Sequence, residues 1–299
     1  MIGSMRLPRR TRAGLSINAL LVYVFLYAPI VLLVVFSFSD NRNVGQWGGF
    51  TLDWYQEFGD NESLQRALWV SVRVALWSTV ISVVLGTLAA LALERFSFRG
   101  KKVFDGLLYL PIIIPDVTMA VMMLLFFSQA LDVADNLFGV GWTKGIETIT
   151  ISHIAFNISF VSVVVRARLA GMDDTLEEAA LDLYATRWRT FRYVTLPQIA
   201  PGVAGGALLA VTLSLDDVVV TQFSSGPGAT TLPVYVFGLI RRGVTPLINA
   251  TSVIMLTASI VLVLLSLLAQ RSSGTAFAGR GHTEPDRHDP LPISQKETS

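Results

Sequence analysis

Three aspartates stand within long apolar stretches of this sequence, where carboxylates are rare. Asp116 comes directly after Pro115, and Asp216 and Asp217 are neighbours in a later apolar run. An unpaired carboxylate inside a membrane is costly, so we expect these side chains to face a polar cavity or a cation. Carboxylates form charge-assisted hydrogen bonds with ammonium groups and repel sulfate, phosphate or molybdate. The chemistry that they favour is therefore the binding of a cation along a path through the membrane.

Aromatic side chains on nearby apolar runs support the same interpretation. They are Phe126, Phe127, Phe156 and Phe160. The faces of aromatic rings attract cations, which suits an elongated organic cation better than an anion.

The two adjacent aspartates need not share a target. On one continuous helix they would point about 100° apart, with Asp217 on the side of Ala210 and Ser214 and Asp216 above Thr212. One of the two could therefore pair with a neighbouring helix and carry no substrate, and this alternative stays open.

The sequence offers no other recognisable chemistry. It contains no cysteine, which excludes thiol catalysis, disulfides and thiolate metal sites. It has neither a Gly-rich phosphate loop nor a His-Glu-x-x-His motif. His153 is expected to be a hydrogen-bonded structural residue rather than a metal ligand. We therefore expect no metal, cofactor or enzymatic activity in this chain, and its energy must come from a partner or an ion gradient.

The composition indicates a membrane protein. Of the 299 residues, 52% are hydrophobic and only 15% are charged, so we expect the chain to lie in a lipid bilayer. We expect no nucleic-acid partner. The fold class that we predict is all-α, with six transmembrane helices. The predicted spans are residues 17–38, 67–93, 104–130, 149–165, 201–223 and 249–269, with Pro111 and Pro115 bending the third.

Charge predicts the orientation of these spans. Seventeen of the 23 lysines and arginines lie on the side of the N-terminus, in clusters at 6–12, 95–102, 166–192 and 271–296, and five lie on the other side. By the positive-inside rule both termini are cytoplasmic. Arg73 lies within the second span, near its outer end, where we expect it to reach lipid headgroups or water.

The same pattern divides the chain into four parts. We expect a cytoplasmic segment at 1–16, a first helix with an outer loop at 17–66, a transmembrane core at 67–269 and a disordered cytoplasmic tail at 270–299. The core includes a cytoplasmic loop at 166–200.

Residues 176–203, most of which belong to this loop, are unusually polar but carry strong helix formers. They predict two short helices joined by a turn, the second with an apolar stripe of Trp188, Phe191 and Val194. Pro197 and Pro201 are expected to close this unit and to start the next span. An apolar ridge on a cytoplasmic hairpin indicates a docking surface rather than a solvated loop.

This segment resembles the coupling loop of permease subunits of binding-protein-dependent ABC transporters, which have the type I permease fold. The match is carried by Glu178-Ala179-Ala180, Asp182-Leu183, Ala185, Phe191, Val194, Leu196-Pro197 and Pro201-Gly202. The resemblance implies that Glu178, Ala179, Ala180, Asp182, Tyr184, Ala185, Phe191 and Pro197 couple the chain to a cytosolic ATPase dimer, which binds the ATP. The family usually has Gly where this chain has Tyr184, and Gly would allow a turn with positive φ that is costly for Tyr.

Motifs in the outer half resemble the spermidine/putrescine branch of that family. They are residues 114–117, 214–220, 225–233 and 242–250. This likeness implies a bacterial inner-membrane importer of polyamines working by alternating access. Its partners would be a second, unlike permease subunit, two copies of the ATPase and an extracytoplasmic polyamine-binding protein. Asp116, Asp216 and Asp217 would then line the substrate path.

Two alternatives remain. One is an importer of the same architecture for thiamine, a ferric complex or an oligopeptide. The other is an ion-coupled cation carrier that acts alone, although no internal inverted repeat supports it.

Overall fold

The computed structural model describes residues 9–139, 141–243 and 245–278. These residues form helices and loops, with one isolated antiparallel bridge between Ser39 and Phe50. The helices are α1 (Arg9–Phe36), α2 (Asp53–Asp60), α3 (Glu62–Arg95), α4 (Lys101–Ile113), α5 (Asp116–Phe138), α6 (Ile146–Leu169), α7 (Thr175–Asp182), α8 (Arg187–Thr190), α9 (Leu196–Asp216), α10 (Val219–Ser224), α11 (Leu232–Ile240) and α12 (Pro246–Ala278). A π-helical turn, Phe191–Thr195, joins α8 to α9.

Six helical segments in this part of the chain are long and apolar enough to cross a membrane. They are Gly14–Phe36, Glu62–Arg95, Asp116–Phe138, Ile146–Leu169, Arg187–Asp216 and Pro246–Leu264. The predicted all-α fold with six transmembrane helices is confirmed. The first of them has none of its residues buried within the chain, so its apolar surface needs an apolar surrounding such as lipid.

The centre of the fold is the contact of α3, α6 and α9, which small residues make possible. A Cβ atom added to Gly86 on α3 would lie 2.8 Å from Val161 Cβ on α6, and one added to Gly206 on α9 would lie 3.3 Å from Val161 Cγ1. Val161 therefore fills the space that both glycines leave, as expected for membrane helices that approach closely. Val165 and Ile199 extend this buried cluster towards the loop at 166–200.

The third predicted span is broken rather than bent. Helix α4 stops at Ile113, Ile114 is extended with ψ 132°, and α5 begins at Asp116. The cause is Pro115, which lacks an N–H and forces the preceding residue out of the helical region. Asp116 is consequently the first residue of a spanning helix and not a residue in the middle of one.

The hairpin at 176–203 is also arranged differently from the prediction. Its two short helices are present, but Pro197 and Pro201 do not separate the second from the next span, because α8, the π-helical turn and α9 form one helical segment from Arg187 to Asp216. The π turn accommodates Pro197, since Leu196 donates its N–H to the Phe191 carbonyl five residues back.

The helices at both ends of the chain extend further than the sequence predicts. Helix α1 begins at Arg9, within the predicted segment 1–16, and α12 continues to Ala278. Residues 270–278 of the predicted disordered tail are therefore helical, and the rest of that tail lies outside the described residues.

Candidate functional site

The transmembrane site is built around a break in the helix that carries the paired aspartates. Helix α9 ends at Asp216, Asp217 is extended with φ −66° and ψ 127°, and α10 begins at Val219. The expectation of one continuous helix through residues 201–223 is therefore wrong. Asp217 helps to cause the break, because its carboxylate accepts hydrogen bonds from the N–H groups of Val220 (3.3 Å) and Thr221 (2.7 Å). It thus satisfies donors that the interrupted helix leaves free.

A fully buried histidine fixes this break from α6. His153 Nδ1 lies 2.6 Å from Ser214 Oγ, and its Nε2 lies 2.9 Å from Thr221 Oγ1 and 3.4 Å from Asp217 Oδ2. Ser214 Oγ in turn lies 3.2 Å from Ser78 Oγ on α3. One ring therefore connects four helices, and the expectation that His153 is a hydrogen-bonded structural residue is confirmed.

A cleft of about 380 Å³ opens beside the break and brings all three predicted aspartates together. Its lining comprises Pro111, Asp116, Met119, Phe156, Phe160, Leu213 and residues 216–220. Of the four phenylalanines named from the sequence, Phe156 and Phe160 line the cleft, whereas Phe126 and Phe127 do not. Carboxylates and aromatic faces therefore meet in one cleft, which is the combination that an organic ammonium ion prefers.

The three aspartates differ in how freely they can bind a ligand. The side chain of Asp217 is only 13% exposed and is held by His153 and Thr221. Asp116 and Asp216 are exposed, and neither pairs with a cationic side chain in the described part of the chain. Of the two adjacent aspartates, Asp217 is therefore the one that pairs with neighbouring helices, as the sequence analysis left open.

The loop at 166–200 forms a second candidate site, which begins with an ordered turn before α7. The hydroxyl and the N–H of Thr175 both donate to Asp173 Oδ1. These hydrogen bonds hold the pKa of the Asp173 carboxyl below its usual range. The Asp173 carboxylate therefore accepts both hydrogen bonds in its ionised form at the entry to α7.

Helix α7 ends in a tight left-handed turn at Tyr184, whose φ is +61°. The N–H of Ala185 bonds to the Ala180 carbonyl and that of Tyr184 to the Leu181 carbonyl, which is the Schellman arrangement that usually contains Gly. Tyr184 thus adopts the backbone conformation for which the resembling family uses Gly. Its side chain is 95% exposed.

An exposed apolar ridge surrounds this turn. Leu183 is 82% exposed and Trp188, which packs beside Phe191, is 67% exposed. Glu178, Ala179 and Asp182 are exposed on α7, whereas Ala185, Phe191 and Pro197 are half-buried. The accessible members of the predicted coupling set therefore lie on a short helix and on the turn that ends it.

Glu177, the residue before Glu178, connects this surface to the rest of the chain. Arg95 at the end of α3 bonds to Asp174 and Glu177, each at 2.9 Å, and Thr195 in the π turn donates to Glu177 at 2.7 Å. Nearby, Arg166 at the end of α6 pairs with Glu94 and Asp105. The sequence analysis missed Arg95, Glu177 and Thr195 in this role, since partners this far apart in the chain leave no local signal.

Comparison with known proteins agrees with this architecture. Residues 82–275 match the model of the family described as "Binding-protein-dependent transport system inner membrane component". The chain is 42% identical over 242 residues to the putrescine transport system permease protein PotI of Escherichia coli K12, covering 80% of this chain and 84% of PotI. It is 38% identical over 258 residues to the spermidine/putrescine transport system permease protein PotC of the same organism, covering 86% of this chain and 94% of PotC.

Solved structures show the same fold. A chain of a bacterial alginate ABC transporter, crystallised with a periplasmic protein that holds an alginate pentasaccharide, superposes with a TM-score of 0.72 at 20% identity, covering 88% of this chain and 94% of that chain. A chain of the MetNI methionine ABC transporter superposes with a TM-score of 0.56 at 16% identity, covering 75% and 99%. With two thirds of its length matched by the family model, the chain belongs to the inner membrane components of binding-protein-dependent transport systems.

Proposed function

We propose that the chain is a permease subunit of an ATP-driven ABC importer that moves polyamines, spermidine or putrescine, into the cytoplasm by alternating access. The observation that carries this proposal is the meeting of Asp116, Asp216 and Asp217 in one cleft. Relatives 38–42% identical to this chain are named as permeases for these polyamines. A flexible chain with an ammonium group at each end matches a cleft that several carboxylates and aromatic rings line.

The carboxylates have different tasks in this proposal. Asp116 and Asp216 bind ammonium groups of the substrate, because both are exposed in the cleft. Asp217 is a positioning residue that maintains the break between α9 and α10, since it is committed to Thr221 and His153. This break determines where Asp216 points.

The partners we propose are an ATPase dimer, a second permease subunit and an extracytoplasmic polyamine-binding protein. The ridge of Leu183, Tyr184 and Trp188 would seat in the ATPase, which binds the ATP. Movement of that ridge would pass along the single helical segment from Arg187 to Asp216, which ends at the cleft. Closure of the ATPase dimer would thus open the cleft outwards, and hydrolysis would reset it.

We also propose that both chain termini lie in the cytoplasm of a bacterial cell. The clustering of positive charge supports this orientation. It places the coupling surface on the side where ATP is available.

Uptake driven by ATP tests the proposal. The complete complex is placed in vesicles and supplied with labelled spermidine and putrescine, with the parent compared to Asp116→Asn and Asp216→Asn. We expect uptake to fall by about tenfold or more in at least one variant while ATP hydrolysis persists, because a charge-assisted hydrogen bond contributes about 1.5–3 kcal/mol. Asp132→Asn is the matched control, as Asp132 is an exposed acid on α5 outside the cleft. ATP hydrolysis without polyamine uptake by the parent would show that polyamines are not the substrate. Failure of the chain to assemble with an ATPase would contradict the proposal that it belongs to an ATP-driven importer.

A further inference from the structure

A second cavity lies on a different face of α6 from the acidic cleft. It is a groove of about 450 Å³ between α3 and α6, lined by Arg73, Trp77, Ile81, Ile146, Glu147, Thr150, Ile151 and Ile154. At about 100° per residue, Ile151 and Ile154 point roughly opposite to Phe156 and Phe160, which line the cleft. The groove therefore has no part in the proposed substrate path.

The groove changes from polar to apolar along its length. Helices α3 and α6 run in the same direction, because Ser82 reaches the Ile154 carbonyl while Gly86 lies against Ile158 and Val161 further on. Arg73 and Glu147 consequently lie at one end. Ile81 and Ile154 lie deeper, by about 12 Å and 10 Å at 1.5 Å per residue.

This gradient follows the direction in which both helices cross the membrane. Trp77 is 59% and Ile151 50% exposed along the groove, so the described part of this chain leaves its apolar wall uncovered. A polar end near the helix starts and an apolar wall below them match the headgroup and the acyl chain of one lipid molecule.

The two charges at the polar end restrict which lipid fits. Neither Arg73 nor Glu147 forms an ion pair with another side chain among the described residues, although both line the same groove. Arg73 favours a phosphate, and Glu147 favours an ammonium group that can donate hydrogen bonds. An anionic headgroup without an amine would leave Glu147 unpaired, and a choline headgroup has no N–H to donate.

We propose that this groove is a binding site for phosphatidylethanolamine, with the lipid phosphate on Arg73, its ammonium group on Glu147 and an acyl chain along Trp77, Ile151 and Ile81. In the orientation proposed above, this lipid belongs to the outer leaflet. The site makes Arg73 a headgroup ligand with a defined partner lipid, rather than a side chain that merely reaches water.

Quenching of a fluorophore at one defined position tests the proposal. Because this chain contains no cysteine, an introduced cysteine is its only labelling site. Ile151→Cys is labelled with a fluorophore in a complex whose other subunits lack cysteine, and the complex is placed in nanodiscs. Phosphatidylethanolamine or phosphatidylglycerol with the same brominated acyl chains is then added at equal mole fraction. We expect the mole fraction of brominated lipid that quenches half of the fluorescence to be about fivefold lower for phosphatidylethanolamine than for phosphatidylglycerol. This difference is the effect expected of about one charged contact.

Further variants assign the two headgroup contacts. Arg73→Gln in the labelled protein should weaken quenching by both lipids, and Glu147→Gln should remove the preference for phosphatidylethanolamine. Arg66→Gln, two turns earlier on α3 and outside the groove, should change neither. A label at Val72, which is exposed on α3 about 140° around the helix from Trp77 and outside the groove, should be quenched equally by both lipids.

The proposal is overturned by either of two results. Equal quenching of the Ile151 label by the two lipids would mean a non-selective lipid contact, and no quenching would mean that a protein covers the groove. The measurement does not use transport, so its outcome is independent of whether polyamines are the substrate.

Discussion

Asp216 and Asp217 differ in how much of the carboxylate is available to a ligand, because their hydrogen bonds differ. Asp217 is held by Thr221 at 2.7 Å and 2.8 Å and lies 3.4 Å from His153, so little of its carboxylate is left for a ligand. Asp216 is the last residue of α9 and is exposed in the cleft. The side chain that we propose to bind substrate and the one that shapes the site are therefore next to each other in sequence.

The sequence predicted the residues of this cleft better than their geometry. The cost of burying charge was enough to select Asp116, Asp216 and Asp217 and to expect cation chemistry. The break after Asp216 could not be foreseen, because residues 216–220 contain no Gly or Pro. It depends on His153, which lies some sixty residues earlier in the chain and reaches Ser214 and Thr221 only in the folded protein.

Tyr184 is strained at a position where glycine would not be. Its φ of +61° costs a non-Gly residue about 1–2 kcal/mol. We expect Tyr184→Gly to raise the stability of the complex by up to about 1 kcal/mol, since Gly also loses more conformational entropy on folding. The measurement is the thermal unfolding midpoint together with ATP-driven uptake, which should be retained. Leu183→Gly is the matched control and should lower stability, because Leu183 has an ordinary φ of −81°; a similar change in both variants would contradict the strain.

Among the helices, α7 is attached to the chain on one face and free on the other. Glu177 is bonded to Arg95 and Thr195, whereas Glu178 is exposed and has no ion pair within the described residues. We expect Glu178→Ala to reduce the amount of ATPase that co-purifies and to leave the thermal midpoint of the isolated permease pair unchanged. Normal co-purification of this variant would count against a docking role.

Glu177→Ala is the matched comparison for that experiment. It removes one shared hydrogen-bond acceptor, so we expect a loss of about 1 kcal/mol of stability. Because the exposed ridge itself is intact, the ATPase should still co-purify. The expected result is ATP hydrolysis with reduced uptake, since the link between α7 and the ends of α3 and α9 is weakened.

The coupling elements show where reasoning from local sequence succeeds. Glu177 to Leu181 are strong helix formers with acidic first-turn residues, and α7 forms where they predict it. Pro197 and Pro201 were expected to separate two helices, but a π turn at Phe191–Thr195 accommodates Pro197 within one segment. Thr195, the last residue of that turn, donates to Glu177, a contact between distant residues that no local pattern encodes.

At the scale of the whole molecule, the proposed coupling surface and the cleft are joined by the contact of α3, α6 and α9. This contact depends on a glycine that cannot be enlarged without moving a helix. A Cβ atom at Gly86 would lie 2.8 Å from Val161 Cβ and 2.9 Å from the Ile158 carbonyl oxygen. Since one of these atoms belongs to the backbone, repacking of side chains alone cannot relieve the clash.

We expect Gly86→Ala to lower the stability of the permease by about 1–3 kcal/mol, the usual effect of overpacking a tight core. Gly205→Ala is the matched control, because its Cβ would meet only Val164 Cγ1 at an ordinary 3.7 Å. The measurement is the thermal midpoint of the complex followed by uptake at a temperature where both variants are folded. Val161→Ala combined with Gly86→Ala should restore little of the stability, since alanine keeps the Cβ atom at 2.8 Å and the Ile158 oxygen at 2.9 Å also remains. Full tolerance of Gly86→Ala would show that α3 and α6 can separate at this point, and that the two sites are connected through α9 alone.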